Sequence, residues 1–210
     1  MKPNPRIASI LEPAYGPCPE FAQACKEMRW QPDRGHVPRG FAGATGELTE
    51  VELVLVVAEP GEPVEGRDSI TGNPMDAVYY DAMHSFRIGR DLFHRNVRKI
   101  LDLCWPGMPF DLVMRKVWLT ESVLCSATST TGPVSRSACR ACGERYFLAQ
   151  LDLFPSSVVV ALGAKASDRL ATLGVTGFVS AWSVAPPGCN RREAAESWQK
   201  VAEAVQGRRR

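Results

Sequence analysis

The chain has 210 residues, 45% of them hydrophobic and 23% charged, which suits one packed domain with a solvated surface. No apolar run reaches the roughly 18 residues that cross a bilayer, and the polar stretch Met1 to Ile10, with two prolines, does not read as a secretory signal. A cytoplasmic monomer without membrane contact is expected, and a net charge of +2 is too mild to identify a nucleic-acid partner by itself.

The proline-rich residues 1–20 read as an irregular lead and Phe21 to Trp30 as a short helix. Residues 31–46, with Pro32, Pro38 and four glycines, read as loop. The lead therefore spans 1–46, the main domain 47–206 and a basic tail 207–210. Val51 to Val57 (VELVLVV) is a β-branched run fit for a strand buried on both faces, and it stops at Pro60-Gly61. A polar segment follows to about Ser69, and Gly72-Asn73-Pro74 marks a turn. Asp91 is placed to cap a helix reaching Cys104, with Leu92, Val97, Ile100, Leu101 and Leu103 at helical spacing. Trp105-Pro106-Gly107 breaks it. Val117 to Leu124 is a second strand, and Ser126 to Ser135 a Ser/Thr-rich loop. Ser137 to Leu153 is a helix stopped by Pro155. Ser157 to Leu162 is a third strand, and Gly163 turns into a helix over Lys165 to Leu173. Phe178 to Val184 is a fourth strand, and Arg192 to Val205 the last helix.

Strands that alternate with helices predict parallel pairing through right-handed crossovers. The expected fold is a single-domain, three-layer α/β/α sandwich around a mainly four-stranded parallel sheet. Ligands of such sheets bind beyond the carboxyl ends of the strands. Ala58 to Gly61, Thr120 to Cys125, Gly163-Ala164 and Ala185 to Arg192 lie there.

Basic residues gather at Arg87, Arg90, Arg95, Arg98 and Lys99, and again at Arg136, Arg140 and Arg145. Arg191-Arg192 and Arg208 to Arg210 add two more groups. Each alone reads as a solvated face; together they could form a phosphate-contacting rim. Seven cysteines, an odd number without an export signal, argue for free thiols, metal ligands or both rather than disulfides.

Three segments in order carry a family resemblance. Ser137 to Leu170 (SACRACGERYFLAQLDLFPSSVVVALGAKASDRL) has a Cys-Arg at a helix start and a strand ending Val-Ala-Leu-Gly-Ala. Val57-Ala58-Glu59-Pro60-Gly61 closes the first strand. Trp182 to Arg192 (WSVAPPGCNRR) follows the fourth. From about residue 50 to 205 these resemble the iron–sulfur type of the uracil-DNA glycosylase superfamily. The resemblance implies a hydrolase of base-excision DNA repair. It would flip uracil, or another deaminated base, out of DNA and hydrolyse its N-glycosidic bond.

The resemblance also implies roles, with departures in every motif. Glycosidic cleavage places cationic character on the sugar and negative charge on the leaving base, so a carboxylate and base-facing donors are needed. Glu59 is the expected catalytic carboxylate, but it stands third in its motif, where the iron–sulfur type has Glu second and Ala third. A surface glutamate beside a turn is the alternative. Ala58 would border the base pocket, and Pro60 and Gly61 would approach the DNA backbone. Phe86, in Ser85 to Arg90, is the expected base-stacking ring, with a core position as the alternative and Tyr79, Tyr80 and His84 as fallbacks. Glu121 stands where the family uses Asn to read the uracil edge; ionised, it would only accept hydrogen bonds and repel O4. Ala185-Pro186-Pro187 replaces His-Pro-Ser, and none of the three histidines is close in sequence. Pro187, Asn190, Arg191 and Arg192 would still contact DNA.

The family's structural [4Fe–4S] cluster would fall to Cys18, Cys25, Cys125 and Cys139, although six residues rather than two separate the first pair. Buried free thiols are the alternative. No cofactor is expected for the chemistry itself. Two other readings compete: a non-catalytic nucleic-acid-binding or damage-sensing module, and a different enzyme acting on another base or nucleoside.

Overall fold

The computed structural model describes residues 2–16, 18–63, 72–128 and 133–208. Most of the expected polar segment to Ser69, part of the Ser/Thr-rich loop and the tail residues Arg209 and Arg210 lie outside the described residues. Among the described residues one five-stranded sheet carries the fold, in the order β1-β3-β2-β4-β5. The strands are β1 (Ala42–Gly43), β2 (Leu53–Val57), β3 (Val117–Glu121), β4 (Val158–Leu162) and β5 (Val179–Ala181). The last four pair in parallel, as the alternation of elements predicts, and β1 adds a short antiparallel edge. Every residue of β2 and β3 is buried, because parallel strands are covered on both faces.

Strand β2 is the switch point of the sheet. From it the chain moves one way to β3, then crosses back past β2 to β4 and β5. Right-handed crossovers in opposite directions place their helices on opposite faces. One set is α2 (Pro74–Ile88), α3 (Leu92–Cys104) and α4 (Phe110–Lys116). The other is α5 (Arg136–Cys142), α6 (Leu148–Leu151) and α7 (Ala164–Thr172). The closing helix α8 (Glu193–Gly207) packs on α3, and α5 packs on α7.

Local chemistry sets the helix starts. Asp91 caps α3 as expected, accepting a hydrogen bond from the His94 amide at 3.1 Å. The turn at Gly72-Asn73-Pro74 is also a helix start: Asn73 accepts from the amides of Met75 and Asp76, and Pro74 fills the first helical position. Sequence reading misses this helix, although Met75, Tyr79, Met83 and Phe86 recur on one buried face.

The N-terminal lead packs into the domain core, and its one α-helix lies earlier than expected. Helix α1 (Pro5–Leu11) is capped by Asn4, and its Ile7 and Leu11 join the same core as Phe41 and Ala42. The expected helix over Phe21 to Trp30 is absent. A 3₁₀ turn over Pro19–Ala22 stands there, after which Met28 bridges to Ala127 and the Arg29 amide bonds to the Ser126 carbonyl. Those pairings take the backbone groups a helix would need. No helix among the described residues is long and apolar enough to cross a membrane.

Candidate functional site

A cavity of about 500 Å³ opens where the strand-end rule places it. Its wall includes Val57 to Glu62 after β2, Leu119 and Glu121 of β3, Leu162 of β4 and Ser183 to Ala185 after β5. Helices α2 and α3 supply Phe86, Asp91, Phe93 and His94, and Gly40 and Arg39 close one side. The volume falls within the range of small-molecule pockets, about 300–1,000 Å³.

The segment after β2 is held from below. The Ala58 carbonyl accepts from the Val123 amide at 3.1 Å, Ser122 Oγ at 2.8 Å and Arg169 Nη1 at 2.5 Å. The Gly61 carbonyl accepts from Ser126 Oγ at 2.9 Å and from Arg39. Glu62 is bound by Arg29 through both oxygens. A loop fixed at three carbonyl or carboxylate positions presents Glu59 in a defined place.

Glu59 lines the cavity, but its carboxylate turns toward α7. Lys165 Nζ lies 2.9 Å from Oε1 and Arg169 Nη2 lies 2.5 Å from Oε2. Arg169 is itself buried, its side chain 8% exposed. Neither cation is singled out by sequence reading, because both sit on a helix more than 100 residues downstream.

Glu121 is buried in the cavity wall, and its Oε2 has no hydrogen-bond partner. Burial pushes its carboxyl well above the ordinary carboxylate range, and the charge of Glu59 adds to the effect. Gly40, at φ +90°, lies against it: a β-carbon there would meet Glu121 Cγ at 2.3 Å. Glycine thus serves both the left-handed backbone and the close approach.

Phe86 lines the cavity from α2 while being only 3% exposed, so the stacking and core readings describe one position. Tyr79 is buried and donates to the Gly43 carbonyl at 2.7 Å. Tyr80 stacks with exposed His84 away from the cavity.

Two placements refine the sequence reading. Pro60 is largely buried and lines the cavity, whereas Gly61, Pro187, Asn190, Arg191 and Arg192 are exposed. A histidine does line the cavity that Ala185 lines: His94, brought there because α3 packs on the loop after β5, where Asn96 Nδ2 donates to the Val184 carbonyl at 2.9 Å. Its Nδ1 lies 2.7 Å from Asp91 Oδ1, a pairing that the three-residue spacing already allows. The basic cluster around α2 and α3 is largely engaged internally. Arg87 pairs with Asp111, Arg90 with Asp81, and Arg98 stacks over Phe110 at 4.7 Å.

The cysteines form a second centre. Cys18, Cys25, Cys125 and Cys142 line a small cavity of about 20 Å³ with Tyr146. Cys142, not Cys139, is the helix cysteine in that group. Two of its sulfurs accept hydrogen bonds, Cys142 from the Leu124 amide at 3.5 Å and Cys18 from Tyr146 at 3.3 Å, as ligating thiolates commonly do. Burial pushes the Cys25 and Cys142 thiols up to about 12, so they stay protonated unless a metal displaces the proton. Among the described residues no three His, Cys, Asp or Glu side chains form a group that could hold a metal ion. The four cysteines share the lining of one small cavity, and thiolate is the donor type that iron–sulfur clusters take.

Fold and cavity together define an α/β protein whose pocket, mainly apolar with a few charged groups, lies at the switch point of its sheet. No protein-family model and no curated protein matches the chain.

Proposed function

We propose that the protein is a DNA glycosylase that flips uracil, or another deaminated base, into the strand-end cavity and hydrolyses its N-glycosidic bond. The observation that carries the reading is the meeting of Glu59, Glu121 and Phe86 in the lining of one cavity from three separate elements. Phe86 offers a ring for stacking. Glu121, protonated by its surroundings, offers one donor and one acceptor, the complement of uracil O4 and N3–H. Glu59 supplies negative charge to the cationic sugar. Asn190, Arg191 and Arg192 supply an exposed, basic DNA-facing edge.

The test is uracil release from single- and double-stranded oligonucleotides. Glu59→Gln is expected to slow release by about 10²-fold or more, the usual scale for an electrostatic group at the reacting centre. Release that Gln does not slow would remove Glu59 from the mechanism. A second reading, a non-catalytic damage-sensing module, is favoured by one observation: both Glu59 oxygens already face cations. Salt-dependent binding without base release would establish it.

A structural [4Fe–4S] cluster would be held by Cys18, Cys25, Cys125 and Cys142, where it would cross-link the N-terminal lead to α5 without taking part in bond cleavage. Cys142→Ser is expected to lose the iron and its brown absorbance, and Cys139→Ser to keep both. Iron retained by Cys142→Ser and lost from Cys139→Ser would restore the sequence-based assignment, and native protein free of iron after anaerobic purification would overturn the cluster.

A further inference from the structure

His94 sits in the first turn of α3, its side chain 9% exposed, packed on the Phe86 ring at 4.7 Å and the Phe93 ring at 5.2 Å. Asp91 Oδ1 accepts both the His94 amide at 3.1 Å and, at 2.7 Å, the ring Nδ1. A carboxylate only accepts, so Nδ1 carries the proton and Nε2 keeps its lone pair. The ring lines the cavity together with Ala58, Glu59 and Ala185. Asp91 is half-exposed at the start of the helix while the imidazole is buried, and an acid that fixes the tautomer of a cavity-lining imidazole is the arrangement that makes histidine a base.

We propose that His94, oriented by Asp91, is the general base of this cavity. This role rests on the glycosylase reading. The water oxygen bonds to the sugar C1′ while the C1′–N bond breaks and leaves its electron pair on the base. The water proton goes to Nε2, and the imidazolium is stabilised by Asp91. That proton then passes to the anionic base, which restores the neutral ring and frees a neutral base. Glu59 is less suited to take the proton, because both its oxygens contact cations.

The charges around the ring are compatible with this role. Arg90 lies 3.6 Å from Asp91 and 3.1 Å from Asp81 of α2, so it balances the two acids. The loop after β5 presents uncharged Val184 and Ala185. Glu59, Glu62 and Glu121 from the strand ends, with Arg39 from the segment before β1, complete the ionisable lining. Burial lowers the affinity of His94 for a proton despite Asp91, which keeps the ring neutral at neutral pH.

The experiment is single-turnover uracil release from about pH 5 to about pH 9 by the native protein, His94→Gln and Asp91→Asn. The native rate should rise from acid pH to a plateau, with its midpoint below the ordinary imidazole value of 6.5. His94→Gln should lose about 10²–10⁴-fold and the acid limb with it. Asp91→Asn keeps a helix cap of equal quality. Its amide can donate to Nδ1 and so move the proton to Nε2, and a loss of at least about 10²-fold is expected. Because this variant preserves the fold, it carries the test if His94→Gln melts early. Native release matched in rate and profile by both variants would overturn the dyad alone. A native protein that releases no base would remove the glycosylase reading and the dyad's role with it.

Discussion

Arg169→Met is expected to lower the melting temperature by about 6–20 °C, which corresponds to about 3–5 kcal/mol for removing one partner of a buried ion pair in a chain of this size. The guanidinium is 8% exposed and touches three groups from two strand ends: Glu59 at 2.5 Å, the Ala58 carbonyl at 2.5 Å and Ser122 Oγ at 3.2 Å. Methionine fills similar space but donates nothing. Glu59 would keep only Lys165, whose side chain is 53% exposed and screened by water. Adding Glu59→Gln to Arg169→Met should recover part of the loss, because the unpaired charge disappears. Thermal melts of the two single variants and the double variant measure this directly. A single variant that melts like the native protein would show that the loop does not depend on Arg169.

Glu121→Gln is expected to gain stability over the native protein as pH rises, and to match or trail it near pH 4. The sign follows from linkage. In the unfolded chain the carboxyl ionises around its ordinary 4.5; in the folded protein burial and Glu59 hold it protonated to a well higher pH. Between those limits the folded state binds one more proton than the unfolded state, so native stability falls as pH rises. The slope is at most about 1.4 kcal/mol per pH unit for one proton. Glutamine has no such proton, and its profile should be flat over the same window. Parallel profiles for the two proteins would mean that Glu121 is ionised when folded. The same substitution bears on base reading: an amide keeps a donor and an acceptor at every pH. Uracil release by Glu121→Gln should therefore persist at alkaline pH, where the native acid ionises and loses its donor.

Much of the frame was legible in the chain itself. VELVLVV and SVVVAL are β-branched and apolar enough to be nothing but buried strands, and Asp91 and Gly163 mark the starts of α3 and α7. From that alternation the parallel sheet and the location of the cavity both follow, since the strand-end rule needs only topology. The same local logic failed where a signal had two meanings. Asn73-Pro74 serves a turn and a helix start equally well, and the apolar residues behind it were the deciding evidence.

What the sequence determined by itself is therefore the four parallel strands, most of their connecting helices and the end of the sheet where a ligand would sit; the short edge strand β1 lies in a stretch that reads as loop. Only the tertiary structure decided which side chains meet there. Arg169 reaches Ala58 across 111 positions, and Asn96 ties α3 to Val184 across 88, carrying His94 with it. Cys139 and Cys142 are separated on their helix by about 300° of rotation and about 4.5 Å of rise, and only packing against the N-terminal lead selects the second. Local periodicity fixes which face of an element is apolar; sheet register and helix packing, set by the whole core at once, fix which polar group faces which.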